Sequence, residues 1–272
     1  MLDAGSQESM KHDLKPIRLQ SEEHKKLFSL INRVDEVSLM MAHDKQVSGK
    51  ASGIDRVTKE ECGANLIPNL KDLIGRMKAF KYIPQPVRRA YIPKANGKLR
   101  PLGIPAYEDR LVQSVMADIL KEVYEPRFLD YSYGFRPNRS AHDVVRFINE
   151  KVMHGNFKWV VEADIKGFFD NVNHKTLMMF LANDISDPNF LRYVARFLKA
   201  GVMDGTELLD SDKGTLQGAS FRLFWPTYTS TTCLTCGLRS ESRSTCQDQW
   251  PTSGTRKIFC SSLKTKGMRI AS

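Results

Sequence analysis

An α+β fold is what this sequence predicts, on three observations. Amphipathic helical stretches recur along the first two hundred residues. Between Val87 and Ile104 they give way to a strand pair around Asn96-Gly97, the strongest short hairpin signal. Farther on, Trp159, Val160 and Val161 form a β-branched and aromatic run that reads as a buried strand. At 272 residues the chain can hold one large domain or two small ones around a real core.

Charge is unevenly placed. The formal net charge is +10, but residues 1–220 contribute only +4 and residues 221–272 contribute +6. A polyanionic partner is implied, less strongly than the whole-chain value suggests. Cysteine is lopsided too: Cys62 stands alone, while Cys233, Cys236, Cys246 and Cys260 follow residue 220. No apolar run approaches 18 residues and no basic-then-apolar leader opens the chain. The expectation is a soluble cytoplasmic protein with reduced thiols and no membrane partner.

Residues 1–20 are polar and irregular. Glu22 to His43 carries Leu27, Leu30, Ile31, Val34, Val37 and Leu39 in helical rhythm, predicting one amphipathic helix. Gly53-Ile54-Asp55 marks a turn, and Thr58 with Glu61 has capping-box spacing. Leu66 to Phe80 predicts a second helix, stopped by Pro84 and Pro86. The hairpin that follows carries Arg88, Arg89, Lys94, Lys98 and Arg100. Such a basic hairpin is either an edge protected against aggregation or a clamp on phosphate. Asp109 to Val123 predicts a helix. YSYGFRPNR, Tyr131 to Arg139, reads as a loop whose interleaved aromatics and arginines suit stacking on bases beside phosphate contacts. Ser140 caps a helix from about Ala141 to Val152. Leu191 to Lys199 predicts one more helix, and Gly201 to Gly214 a polar connection before GTLQGAS.

Asp164 sits where the Trp159 strand should run out, ahead of Phe168, Phe169 and Asp170. Two readings are open. It is a strand-end or N-cap carboxylate facing water, or it is a Mg²⁺ ligand, since magnesium takes one or two carboxylates together with substrate phosphates.

Five blocks in order carry a family resemblance: SGIDRVT, PQPVRRAYIPKANGKLRPLGIPAYEDRLVQ, YSYGFRPNRSAHDVV, VEADIKGFFDNVNH and GTLQGAS. Over roughly residues 50–220 the chain resembles group II intron-encoded reverse transcriptase/maturases. The resemblance implies a right-hand polymerase: fingers and a partial palm with an antiparallel sheet and packed helices. It implies two Mg²⁺ ions, one activating the primer 3′-hydroxyl and one stabilising the departing pyrophosphate. By the same resemblance Asp164 is the first metal-binding carboxylate, beside the backbone carbonyl of Ile165. Phe169 matches the aromatic under the deoxyribose, Lys94 and Arg100 the grip on the triphosphate, and Gln217 the lining of the nucleotide pocket. Implied partners are group II intron RNA, an RNA template, a DNA primer and dNTPs. Arg88, Arg89, Lys98, Arg136 and Arg139 are the candidate RNA contacts.

Two departures stand out. Leu216 replaces the proline of the family's GTPQG turn, freeing a fixed φ. A second metal-binding pair, in a Tyr-Ala-Asp-Asp hairpin some forty residues after the turn, has no counterpart in this chain. One aspartate cannot hold two ions. From Phe221 the apolar period collapses into a stretch with 17 Ser+Thr in residues 221–272. CLTC, Cys233 to Cys236, has zinc-knuckle spacing, but the spacing before Cys260 is unusual and the tail has no His. A shifted reading frame accounts for the stretch better. With permitted codons, Arg222–Leu238 can spell SPILANIYFYYVLDLWF and Pro251–Cys260 can spell AYLRYAEDFV, both close to what the family carries there.

The expected organisation is thus an N-terminal helical extension (1–50), reverse transcriptase fingers and partial palm (51–220), and an out-of-frame, disordered tail (221–272). The expected function is an RNA-directed DNA polymerase truncated in the palm and inactive as this chain. The alternative is a non-catalytic RNA-binding fragment of an intron maturase. Without the hairpin that bears the second carboxylates, the Trp159–Ala163 strand is expected to lose one neighbour.

Overall fold

The computed structural model describes residues 26–93, 97, 99–154, 159–163, 172–209 and 267–271, with 159–163 and 267–271 given as backbone. Among the described residues the helices are α1 (Glu36–Asp44), α2 (Lys59–Ala64), α3 (Leu66–Lys78), α4 (Tyr107–Tyr124), α5 (Ala141–His154), α6 (His174–Asp184) and α7 (Pro188–Leu198). The strands are β1 (Val87–Pro93), β2 (Leu99–Ile104), β3 (Trp159–Ala163), β4 (Val202–Asp204), β5 (Glu207–Leu209) and β6 (Gly267–Ala271). The α+β expectation holds.

The predicted helix from Glu22 to His43 is not continuous. Leu30–Arg33 is a 3₁₀ turn, and α1 begins afresh after Asp35. The break has a local cause: Asp35 Oδ1 accepts from the Ser38 amide at 2.8 Å while the Asp35 amide donates to Ser38 Oγ at 3.0 Å. This reciprocal cap ends one segment and starts another. Thr58 and Glu61 form the same device at α2, as their spacing predicts.

Helix α4 is the hub of the core. Leu111, Val112, Met116, Ala117 and Leu120 on it are almost wholly buried, with Leu39 of α1 and Leu70 and Leu73 of α3 in the same cluster. Phe190, Tyr193 and Val194 of α7 and Leu177 and Leu181 of α6 complete that cluster.

The four-stranded sheet runs β2-β1-β4-β5. β1 and β2 are antiparallel from Arg88↔Ile104 to Pro93↔Leu99. β4 joins β1 in parallel at Val87↔Val202. The β4–β5 hairpin replaces what the sequence suggested was a polar connection. Asp204 pairs with Glu207, so Gly205, at φ +63°, and Thr206 make a two-residue loop. Gly at the first loop position is the signature of a type II′ turn, whose twist suits flanking strands.

β6 pairs with β3 antiparallel from Trp159↔Ala271 to Ala163↔Gly267. A short strand with open donors and acceptors takes up an extended segment through the backbone alone. The rest of the 221–272 stretch lies outside the described residues.

The far N-terminal segment is stitched to the α6–α7 junction. Leu27 donates to the Asp184 carbonyl and accepts from Ser186, both at 2.8 Å. Asp187 is 4% exposed and serves two elements. Its Oδ1 caps α7 by accepting from the Asn189 and Phe190 amides at 3.0 Å, and its Oδ2 accepts from the Ile31 amide at 2.8 Å. Asp187→Ala leaves three amides without a partner. It is expected to cost about 2–4 kcal/mol in denaturant unfolding, against well under 1 kcal/mol expected for an exposed control such as Glu207→Ala.

Candidate nucleic-acid interface

The loop before α2 is built into the base of the β1–β2 hairpin. A Cβ on Gly53 would lie 2.5 Å from the Pro105 carbonyl and 2.6 Å from Ala106 Cα, so only glycine fits there. Asp55 then reaches α4: its Oδ2 accepts from the Tyr107 amide at 2.7 Å and its Oδ1 from Val57 at 3.3 Å. Ala106, the residue ahead of α4, offers no side-chain cap, so the aspartate 52 residues upstream supplies it. Arg110 donates to the Ala51 carbonyl at 3.0 Å.

Arg88 and Arg89 are engaged with the protein. Arg88 donates through Nε and Nη2 to the Ser52 carbonyl at 3.1 and 2.6 Å. Arg89 pairs with Asp204 at 3.7 Å, and the Tyr91 hydroxyl donates to the same carboxylate at 2.5 Å. The bond to Asp204 raises the Tyr91 phenol above its usual range. Both arginines thus tie the hairpin to its neighbours, one to the loop before α2 and one to β4. Arg100 differs: it is exposed on β2, opposite Ile92, and no described residue pairs with it.

The YSYGFRPNR loop is organised from within. The Arg136 side chain is 6% exposed. It donates to Glu125 Oε1 at 3.0 and 2.8 Å and to the Leu129 and Ser132 carbonyls at 2.7 and 2.9 Å, with its guanidinium 5.4 Å from the Phe128 ring centre. A guanidinium with most of its donors spent on its own loop has little left for phosphate, so Arg136 holds the loop together. Arg139 packs 5.4 Å from the Tyr133 ring centre and donates to the Asp130 carbonyl at 3.1 Å, keeping more of itself exposed. Tyr131 and Phe135 are exposed beside it in sequence. Ser140 caps α5 as its type suggests, its Oγ accepting from the Asp143 amide at 3.3 Å.

The segment between α3 and β1 is fastened by a residue that sequence reading passed over. Asp109 of α4 is buried and accepts from the Tyr82 hydroxyl and, at 2.9 Å, from the Gln85 amide. The available signal was phase: Asp109 recurs with Val112, Gln113 and Met116 on the buried side of α4. Asp55 and Arg110 were likewise missed, because their bonds join segments about fifty residues apart and leave no local pattern.

Lys94, Lys98, Asp164, Ile165, Phe169 and Gln217 lie outside the described residues. β3 ends at Ala163, immediately before Asp164 in sequence. Among the described residues no group of three or more His, Cys, Asp or Glu side chains could hold a metal. None of the described helices is long and apolar enough to cross a membrane.

A hairpin set against helices, followed by β3, fits the fingers and palm of a polymerase. Residues 92–221 match the reverse transcriptase (RNA-dependent DNA polymerase) family. The chain's relatives include a group II intron-encoded protein and an intron maturase. The chain is 38% identical over 179 residues to group II intron-encoded protein LtrA of Lactococcus lactis subsp. cremoris, covering 65% of this chain and 30% of that protein. It is 39% identical over 169 residues to protein YkfC of Escherichia coli, covering 61% of this chain and 44% of that one. Nuclear intron maturase 1, mitochondrial, of Arabidopsis thaliana is 32% identical over 95 residues, 35% of this chain and 13% of that protein. The chain therefore spans less than half the length of each of these curated relatives.

Burial pushes the Asp109 carboxyl up to about 6, while the bonds from Tyr82 and Gln85 pull the other way. Unfolded, it titrates near 3.8. The stability it contributes is complete below about pH 4 and is lost as pH rises through about 6. Wild type is expected to lose stability relative to Asp109→Asn over that window, on the order of 2–3 kcal/mol. Paired denaturant titrations from pH 4 to 7 read the difference, and parallel pH profiles would contradict it.

Proposed function

We propose that the chain is an RNA-directed DNA polymerase of group II intron type by descent, without polymerase activity in this form. One observation carries the proposal. The reverse transcriptase match ends at residue 221, and the sequence offers Asp164 but no Tyr-Ala-Asp-Asp counterpart after it. Nucleotidyl transfer of this class is Mg²⁺ chemistry. Asp164 and the Ile165 carbonyl are the groups that would ligate an ion, and a single carboxylate falls short of the ligands that two ions need. With Mg²⁺, dNTPs and a primed RNA template, the purified chain is expected to give no more primer extension than Asp164→Ala. Extension that vanishes in Asp164→Ala would overturn the proposal.

A second reading is favoured by the hairpin. Arg100 points no charge at a described partner, and Lys94 and Lys98 flank the same turn in sequence. These cations suit an RNA backbone, and the fragment would then act as a non-catalytic binder of intron RNA. Arg88 and Arg89 serve it indirectly by holding the hairpin. Replacing Lys94, Lys98 and Arg100 together with Ala is expected to flatten the slope of log affinity against log salt by about two to three units. An unchanged slope would return the hairpin to a solubility role.

A further inference from the structure

Helix α3 ends in a motif that asks for glycine and holds phenylalanine. Phe80 donates to the Met77 carbonyl at 2.9 Å and Lys81 donates to the Arg76 carbonyl at 2.9 Å, the two bonds of a Schellman cap. The residue between helix and exit must then be left-handed, and Phe80 is, at φ +58°. A bulky side chain there is strained, and glycine would close the cap without strain. The ring does little for the core, since Phe80 is 42% exposed and lies outside the buried cluster.

Helix α7 holds this strained residue in place. Arg196 donates to the Phe80 carbonyl at 3.2 Å and to the Tyr82 carbonyl at 2.5 Å, and the Tyr193 hydroxyl donates to the Met77 carbonyl at 2.7 Å. One turn earlier on α7, the Arg192 guanidinium lies 4.4 Å from the Phe80 ring centre. Lys78, Lys81, Arg192 and Lys199 are exposed, and no described carboxylate pairs with any of them. An exposed ring set beside a guanidinium, on elements that carry exposed cations with no described carboxylate partner, is the composition of a stacking platform for single-stranded nucleic acid.

From this we infer that Phe80 and Arg192 form a binding site for an unpaired base of single-stranded RNA, with Lys78, Lys81 and Lys199 meeting the adjoining phosphates. The inference rests on the RNA-binding reading above but uses no residue of the hairpin. It explains why a position suited to glycine carries an exposed aromatic: the ring is retained for its π face, and Arg196 holds the backbone that presents it.

The test is fluorescence anisotropy of the full chain with a labelled, unstructured RNA oligonucleotide. Phe80→Gly is expected to bind about tenfold more weakly, in the range of one lost base stack. Its salt slope should be unchanged, and its melting temperature equal to or above that of wild type because the strain at φ +58° is gone. Phe80→Leu, which keeps apolar bulk without a π face, should lose affinity equally, and Phe80→Tyr should restore it. Wild-type affinity in either Phe80→Gly or Phe80→Leu would overturn the inference, and it would do so alone if the Lys94, Lys98 and Arg100 substitutions still weaken binding. A wild-type chain that binds no RNA would overturn both this site and the reading on which it rests.

Discussion

The first amide of helix α4 must find an acceptor away from water, and the described fold is arranged to provide one. Residues of α4 share one buried cluster with residues of α1, α3, α6 and α7, and its first amide sits on buried Tyr107. Ala106 cannot help, and the acceptor comes from Asp55. For Asp55 to arrive, the chain at Gly53 must press against Pro105 and Ala106 closer than any Cβ permits. Arg88 and Arg110 then clamp the carbonyls of Ser52 and Ala51. One orphan amide thereby fixes a loop, a glycine and two arginines, and with them the angle at which the hairpin leaves the body.

Arginine is the recurring instrument of this arrangement. Arg88, Arg110, Arg136 and Arg196 each donate to main-chain carbonyls that no helix or sheet ladder satisfies. A planar fork with five donors can close off two or three such acceptors at once, which a lysine ammonium cannot do with the same directionality. The overall positive charge of the chain is therefore a poor guide to where nucleic acid would lie. The informative cations are those left over, Arg100 on the hairpin and the group around Phe80.

Helices α2 to α5 and the β1–β2 hairpin were legible because each has a local signature. The Thr58 and Glu61 cap, the Asn96-Gly97 turn and the apolar phase of α3 are examples. What escaped was relational. The long N-terminal helix divides because Asp35 and Ser38 cap each other, a choice that apolar rhythm alone does not reveal. The β4–β5 hairpin was lost in a polar stretch although Gly205 stood at its turn. Of the candidate site, the motifs pointed to the hairpin and the aromatic loop. They could not show that Arg136 faces inward, because an inward and an outward arginine are the same letter.

Several of the closing contacts join residues made far apart in time. Leu27 waits for Asp184 and Ser186, Ile31 for Asp187, and the end of α3 for Tyr193 and Arg196. At about 5–20 residues per second, the N-terminal segment is synthesised roughly eight to thirty seconds before its partners exist. Throughout that interval the backbone groups of Leu27 and Ile31 lack these partners. The wait ends with α7. Each of these long-range partners lies before residue 200, so the ribosome has delivered all of them before it reaches the codons where the sequence changes character.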